Sequence, residues 1–137
     1  MPILWREEMC VGNKEIDDYH KYLVCLVNTV EAAVNCGLER GVLLSHANEL
    51  LLYAKDHFAK EEALQVAFSY QHHLEHKKAH EDLIHRLVEI ISNLENQKDG
   101  RVMKNTIDGL FNVLRDWLVN HILNEDMKMK EFLKSVE

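Results

Sequence analysis

Proline is almost absent from this chain of 137 residues: the only one is Pro2, so no ring interrupts a helix beyond the second position. Glycine is scarce too, at five residues, and no apolar/polar alternation bounded by turn signals is sustained, which excludes a β-rich fold. Cysteine is limited to Cys10, Cys25 and Cys36, an odd set without C-x-x-C spacing, so the three read as reduced thiols. Cys25 lies among Leu23, Val24, Leu26 and Val27 and is expected to be a small buried hydrophobe. The longest apolar run, Tyr22 to Val27, falls far short of the roughly 20 residues that span a bilayer. The opening MPILWREEM lacks a basic stretch followed by an apolar one, so no signal peptide is visible and a soluble cytoplasmic protein is expected. Basic residues are outnumbered 16 to 23, for a net charge of -7, and no Lys/Arg cluster interleaves with aromatics, which argues against a nucleic-acid partner.

What is present is helical periodicity. The chain is long enough to enclose a core as one domain, 1–137. Gly37 and Gly41 close one helical pattern and open the next, a break falls near Ser69 to Gln71, and Gly100 follows the polar stretch Glu95 to Asp99. The expected elements are an N-terminal arm 1–15, helices at about 17–36, 42–68, 72–97 and 101–122, and a C-terminal segment 123–137. Each helix is near the length of about 30 Å that 20 residues span, and short links imply antiparallel neighbours. The fold class is therefore all-α, an antiparallel up-down-up-down four-helix bundle.

The alternating spacing of 4 and 3 that a bundle seam requires gives four inward stripes. They run Ile16, His20, Leu23, Val27, Val30, Val34; then Leu43, Ala47, Leu50, Ala54, His57, Glu61, Leu64, Phe68; then His73, His76, His80, Leu83, Leu87, Ile90, Leu94; and Met103, Ile107, Leu110, Leu114, Trp117, His121. A single histidine on an apolar face is more often a core residue with a hydrogen-bond partner than a ligand. The set changes the odds: a carboxylate buried alone costs several kcal/mol, few core-facing Lys or Arg residues could neutralise Glu61, and a bound cation would.

Depth supplies a second test. His20 and His76/His80 lie near the starts of the first and third helices, His57/Glu61 and His121 near the ends of the second and fourth. In an up-down-up-down bundle these places share one end. The pairs His57/Glu61 and His76/His80 are spaced i,i+4, about 40° apart around the helix and about 6 Å along it, so each pair can point at a common centre. Asp126, five residues after His121, would stand about 140° away on a continuous helix, so the fourth helix is expected to loosen or end near Asn124.

Taken in order, Trp5, V-G-N-K-E-I-D-D-Y-H ending at His20, H-F-A-K-E-E from His57, Y-Q-H-H-L-E-H-K-K-A-H from Tyr70 to His80, and W-L-V-N-H-I-L-N-E-D from Trp117 to Asp126 resemble the bacterial hemerythrins over nearly the whole chain. The resemblance implies two iron ions with an oxo or hydroxo bridge: His76, His80 and His121 on one, His20 and His57 on the other, and Glu61 and Asp126 bridging. It implies O2 as the ligand of the open position on the second iron, for storage, delivery or scavenging, and a protein that is not an enzyme. An apolar wall of Phe58, Trp117, Leu118 and Ile122 is expected around that position. The alternative is a di-iron enzyme that consumes peroxide, O2 or nitric oxide, which predicts a polar or redox-active group there. Enzymes of the ferritin-like kind use Glu-x-x-His spacing, and none occurs at a core site of this chain.

Two positions depart from the family pattern: Tyr19 stands where glutamine often precedes the first ligand, and Gln71 where proline often follows the tyrosine. Neither removes a ligand. His46, His72 and His85 are expected at the surface, His73 at a solvated bundle end, and Glu62 and Asp17 on helix faces, with Asp17 also a candidate N-terminal cap.

Overall fold

The computed structural model describes the backbone of residues 2–37, 39–96 and 104–135, and the side chains of all of these except 104–110, 113, 126, 134 and 135. After a 3-10 turn at Glu7–Met9 come α1 (Lys14–Asn35), α2 (Arg40–Ala67), α3 (His73–Glu95), α4 (Lys104–Asn120), a π-helical turn (His121–Asp126) and α5 (Met127–Ser135). No strand occurs among the described residues. Each long helix packs on the next and α4 closes on α1, giving the four-helix bundle that the stripes require. No helix among the described residues is long and apolar enough to cross a membrane.

The stripes form the core. On α1 all six positions from Ile16 to Val34 are buried, and Leu43, Leu50, Leu83, Leu87, Ile90, Leu94 and Leu114 meet them between the helices. The expected turn at Gly100 and the stripe positions Met103, Ile107 and Leu110 lie outside the described residues and side chains. Two residues expected inside fall elsewhere. Phe68 is exposed, and Cys25, expected inside, is exposed as well. Cys25 stands five residues past His20, about 140° round the helix, so its apolar sequence neighbours do not share its face.

Helix ends explain the connections. Asn13 caps α1 by accepting from the Ile16 backbone N–H at 3.1 Å. Asp17 is neither that cap nor a solvated charge: it is buried, and its carboxylate accepts from the Val11 and Gly12 backbone N–H groups at 2.8 and 3.3 Å, tying the N-terminal arm to the bundle. Gly37 ends α1 with φ +69°, a conformation that costs a residue without Cβ little. At the end of α2, Ser69 takes φ 55°, and the Tyr70 backbone N–H reaches back to the Gln65 carbonyl at 2.8 Å. That 6→1 bond is a Schellman stop. It turns Tyr70 inward, where it is buried.

The largest departure lies at the C-terminus. Past Asn120 the fourth helix loosens into the π turn, and the C-terminal segment then resumes as a further helix, α5. Met129 and Leu133 of α5 pack with Val11, Ile16 and Tyr70 into a second apolar cluster. This cluster closes the end of the bundle that carries the histidines.

Candidate metal centre

Six of the seven predicted ligands have described side chains, and the fold brings all six together. His20, His57, Glu61, His76, His80 and His121 are each 4% exposed or less. They form two groups, His76/His80/His121 and His20/His57/Glu61, and within each group one donor atom per residue lies within 4.8 Å of the others. The i,i+4 spacing on α2 and α3 aims each pair inward, and the antiparallel arrangement sets the ends of α2 and α4 beside the starts of α1 and α3.

Glu61 stands between the two groups and divides its oxygens. Oε2 is 3.3 Å from His20 Nε2 and 3.1 Å from His57 Nε2; Oε1 is 2.9 Å from His76 Nε2 and 3.6 Å from His80 Nε2. Burial pushes the Glu61 carboxyl pKa up, but hydrogen bonding from the four imidazoles outweighs it and holds the pKa well below the ordinary carboxylate range. His80 is pushed down, by burial first and by its histidine neighbours, while Glu61 pulls the other way. Neutral imidazoles around an ionised carboxylate are the protonation states that ligate a cation. A further observation fits: His57 Nε2 is buried 3.1 Å from Glu61 Oε2 but without a well-aligned hydrogen bond. An orphaned nitrogen lone pair of this kind is satisfied by a metal ion.

The side chain of Asp126 lies outside the described set, but its backbone is placed. In a π turn the i→i+5 bond replaces i→i+4, so residue 126 stands one turn above residue 121 rather than about 140° away from it. The loosening expected near Asn124 takes this form.

Of the four residues expected as an apolar wall, Leu118 and Ile122 are buried, and two rings lie flat on imidazoles of the three-histidine group. Phe58 stacks on His80 with centroids 3.9 Å apart, and Trp117 on His121 at 4.8 Å. On the two-histidine side a cavity of about 140 Å³ reaches His57 and Glu61 and is lined by Ile16, Leu64, Tyr19 and Lys60 among others. Tyr19 packs on the His57 ring at 5.3 Å, and Lys60 Nζ donates to its hydroxyl at 3.2 Å. Tyr19 thus packs against the two-histidine side of the site.

Other residues also join the site. Glu62, expected on a solvated face, is half-buried and accepts from His80 Nδ1 at 3.3 Å. Gln65 is buried against His76, and His73, expected at a solvated end, is half-buried against Gln65. Gln65 stands four residues after Glu61; a step of four there, in place of the step of three that selects Leu64, puts it on the inward stripe. His85 is exposed, and His46 and His72 are half-buried.

The chain matches the hemerythrin HHE cation-binding domain over residues 11–133. It is 30% identical to a hemerythrin-like protein of Naegleria gruberi over 96% of this chain and 94% of that one. It is 33% identical to a bacteriohemerythrin of Pseudomonas paraeruginosa, covering 90% and 76% of the two chains. It is also 33% identical to a hemerythrin of Themiste dyscrita, covering 84% and 80%. The cofactor of this family is a di-iron centre, and the His/Glu groups have the donors to hold it. With the bundle, the paired histidine groups and a family match from Val11 to Leu133, the chain belongs to the hemerythrin family of HHE cation-binding domains.

Proposed function

We propose that this protein binds O2 reversibly at a di-iron centre and stores, delivers or scavenges it in the cytoplasm rather than acting as an enzyme. In this reading His76, His80 and His121 hold one ion, His20 and His57 the other, and Glu61 and Asp126 join them. The observation that carries the reading is the division of Glu61, one oxygen facing each histidine group at 2.9–3.6 Å. A carboxylate so placed would serve two ions rather than one. The unequal groups, three histidines against two, would leave the open position on the His20/His57 side. A bound iron pair supplies the two electrons that O2 uptake needs and recovers them on release.

The chain's own residues govern the rest. Five neutral imidazoles bring no charge, so the donor set stabilises high-valent iron less than a carboxylate-rich one does. Phe58, Trp117, Leu118 and Ile122 exclude water, and the second apolar cluster shuts the bundle end above them.

One observation favours a second reading. The cavity that reaches His57 is lined by Tyr19 and Lys60, an oxidisable phenol beside a cation, the kind of group that a peroxide-, O2- or nitric-oxide-consuming enzyme would place there. The two readings part on one experiment: anaerobic reduction of the iron-loaded protein, then air. A charge-transfer band that appears with air and vanishes under vacuum is expected; rapid, irreversible oxidation with peroxide turnover, abolished in Tyr19→Phe, supports the enzyme instead. His57→Ala should lose O2 binding, and retained binding would overturn the ligand assignment.

A further inference from the structure

The Gln65 amide touches the metal centre, and no role described so far uses it. Gln65 is 1% exposed, and its amide lies among three elements. Nε2 is 2.7 Å from His76 Nδ1 and 3.1 Å from Met129 Sδ, while Oε1 is 3.2 Å from His73 Nδ1. The opposite edge of the His76 ring faces the centre, with Nε2 2.9 Å from Glu61 Oε1.

These contacts fix where protons sit. An amide N–H that donates to His76 Nδ1 requires the ring proton on Nε2, which faces both Glu61 Oε1 at 2.9 Å and His121 Nε2 at 3.2 Å. The same amide accepts, through Oε1, the proton on His73 Nδ1. A cation held at His76 Nε2 needs that nitrogen's lone pair, so the ring proton must then sit on Nδ1. An Nδ1–H cannot face an amide N–H. A half-turn of the Gln65 terminal amide exchanges its oxygen and nitrogen with little change in shape. Oε1 then accepts from His76 Nδ1–H, and Nε2 donates to His73 Nδ1, whose ring proton must move to Nε2. The contact given up, to the Met129 thioether, is to a weak acceptor.

We propose that Gln65 is a positioning residue: it sets the tautomer of His76, and by turning its amide when an ion is taken up it reverses the tautomer of His73. The proposal rests on the reading of His76 as an iron ligand. Each ring keeps one proton, and only the nitrogen that carries it changes. The occupancy of the buried centre is thereby expressed at His73, a half-buried residue on the first turn of α3.

Two-bond proton–nitrogen correlation spectra of the full 15N-labelled chain, recorded as Zn(II) is added as a diamagnetic probe, read both rings. In the wild type His76 should pass from the Nε2–H to the Nδ1–H form, and His73 from Nδ1–H to Nε2–H, in the same titration. If His76 changes and His73 does not, the relay is overturned while the ligand assignment stands. If His76 itself does not respond to zinc, the ligand assignment fails and takes the relay with it. In Gln65→Leu, His76 should respond and His73 should not. Gln65→Glu, which keeps the size and can only accept, should hold both rings as Nδ1–H with and without zinc; a tautomer change at His73 in either variant, or at His76 in Gln65→Glu, overturns the proposal. Loss of Fe(II) to a competing chelator should be about 10-fold or more faster in Gln65→Leu and restored in Gln65→Glu, the scale usual for outer partners of metal-bound histidines.

Discussion

Glu61 shows what a single residue settles here. A carboxylate 2% exposed would be a liability in an apolar bundle, and only its surroundings make it tolerable. Because removing one partner of a buried, hydrogen-bonded charge cluster leaves the others unpaired at a cost of about 3–5 kcal/mol, Glu61→Leu should lower the stability of the metal-free protein, measured by urea unfolding. The same variant should lose the capacity for two irons per chain, measured by colorimetric iron analysis. An unchanged or raised metal-free stability would mean that the imidazoles do not hold the carboxylate in this way. The histidines were legible one by one from their stripes, but Glu62 and Gln65 were not. Glu62 neighbours a ligand in sequence and faces the centre only because its side chain reaches across to α3.

At the scale of elements, the ends matter more than the middles. Ser69 carries a side chain through φ 55° to stop α2 and bury Tyr70. Glycine adopts that conformation without the Cβ penalty of about 1 kcal/mol, so Ser69→Gly should raise the urea midpoint modestly, by up to about 1 kcal/mol in stability. A destabilised variant would show that the serine hydroxyl makes up for the strain. The π turn illustrates the same point. A regular helix continued from α4 would carry residue 126 away from residue 121, and the widened turn corrects the angle within six residues, His121–Asp126. Sequence spacing signalled the conflict but not its resolution, because α-helical periodicity has no means of representing a locally different pitch.

For the whole molecule, the buried titrating groups set a pH window. Glu61 in the fold has a pKa well below its ordinary value, so the stability it contributes is present above that ordinary value and is lost as pH falls through the folded one. His80 is also pushed down, so the unfolded chain takes up its proton first and the fold weakens as pH drops below about 6.5. Tyr53 acts at the other limit: chiefly by burial, its pKa is raised to about 12, so stability is lost as pH climbs from the ordinary tyrosine value of about 10 toward it. Urea midpoints of the metal-free protein should therefore decline from pH 7 toward pH 4 and again above about pH 10. Bound metal should hold the acid limb up until its histidines protonate, and a flat profile without metal would contradict the assignment of these groups.

The sequence by itself determined the bundle, the inward stripes and the common level of five histidines and Glu61, because helical periodicity and antiparallel alternation are local rules that a linear pattern obeys. The tertiary structure decided how the carboxylate divides between two histidine groups, which ring lies on which imidazole, and that Tyr19, Glu62 and Gln65 belong to the site. It also decided that the chain beyond residue 122 stays helical and closes the metal end through Met129 and Leu133. Those outcomes depend on distances between residues far apart in sequence and on a change of helical pitch, and neither is encoded in spacing along one chain.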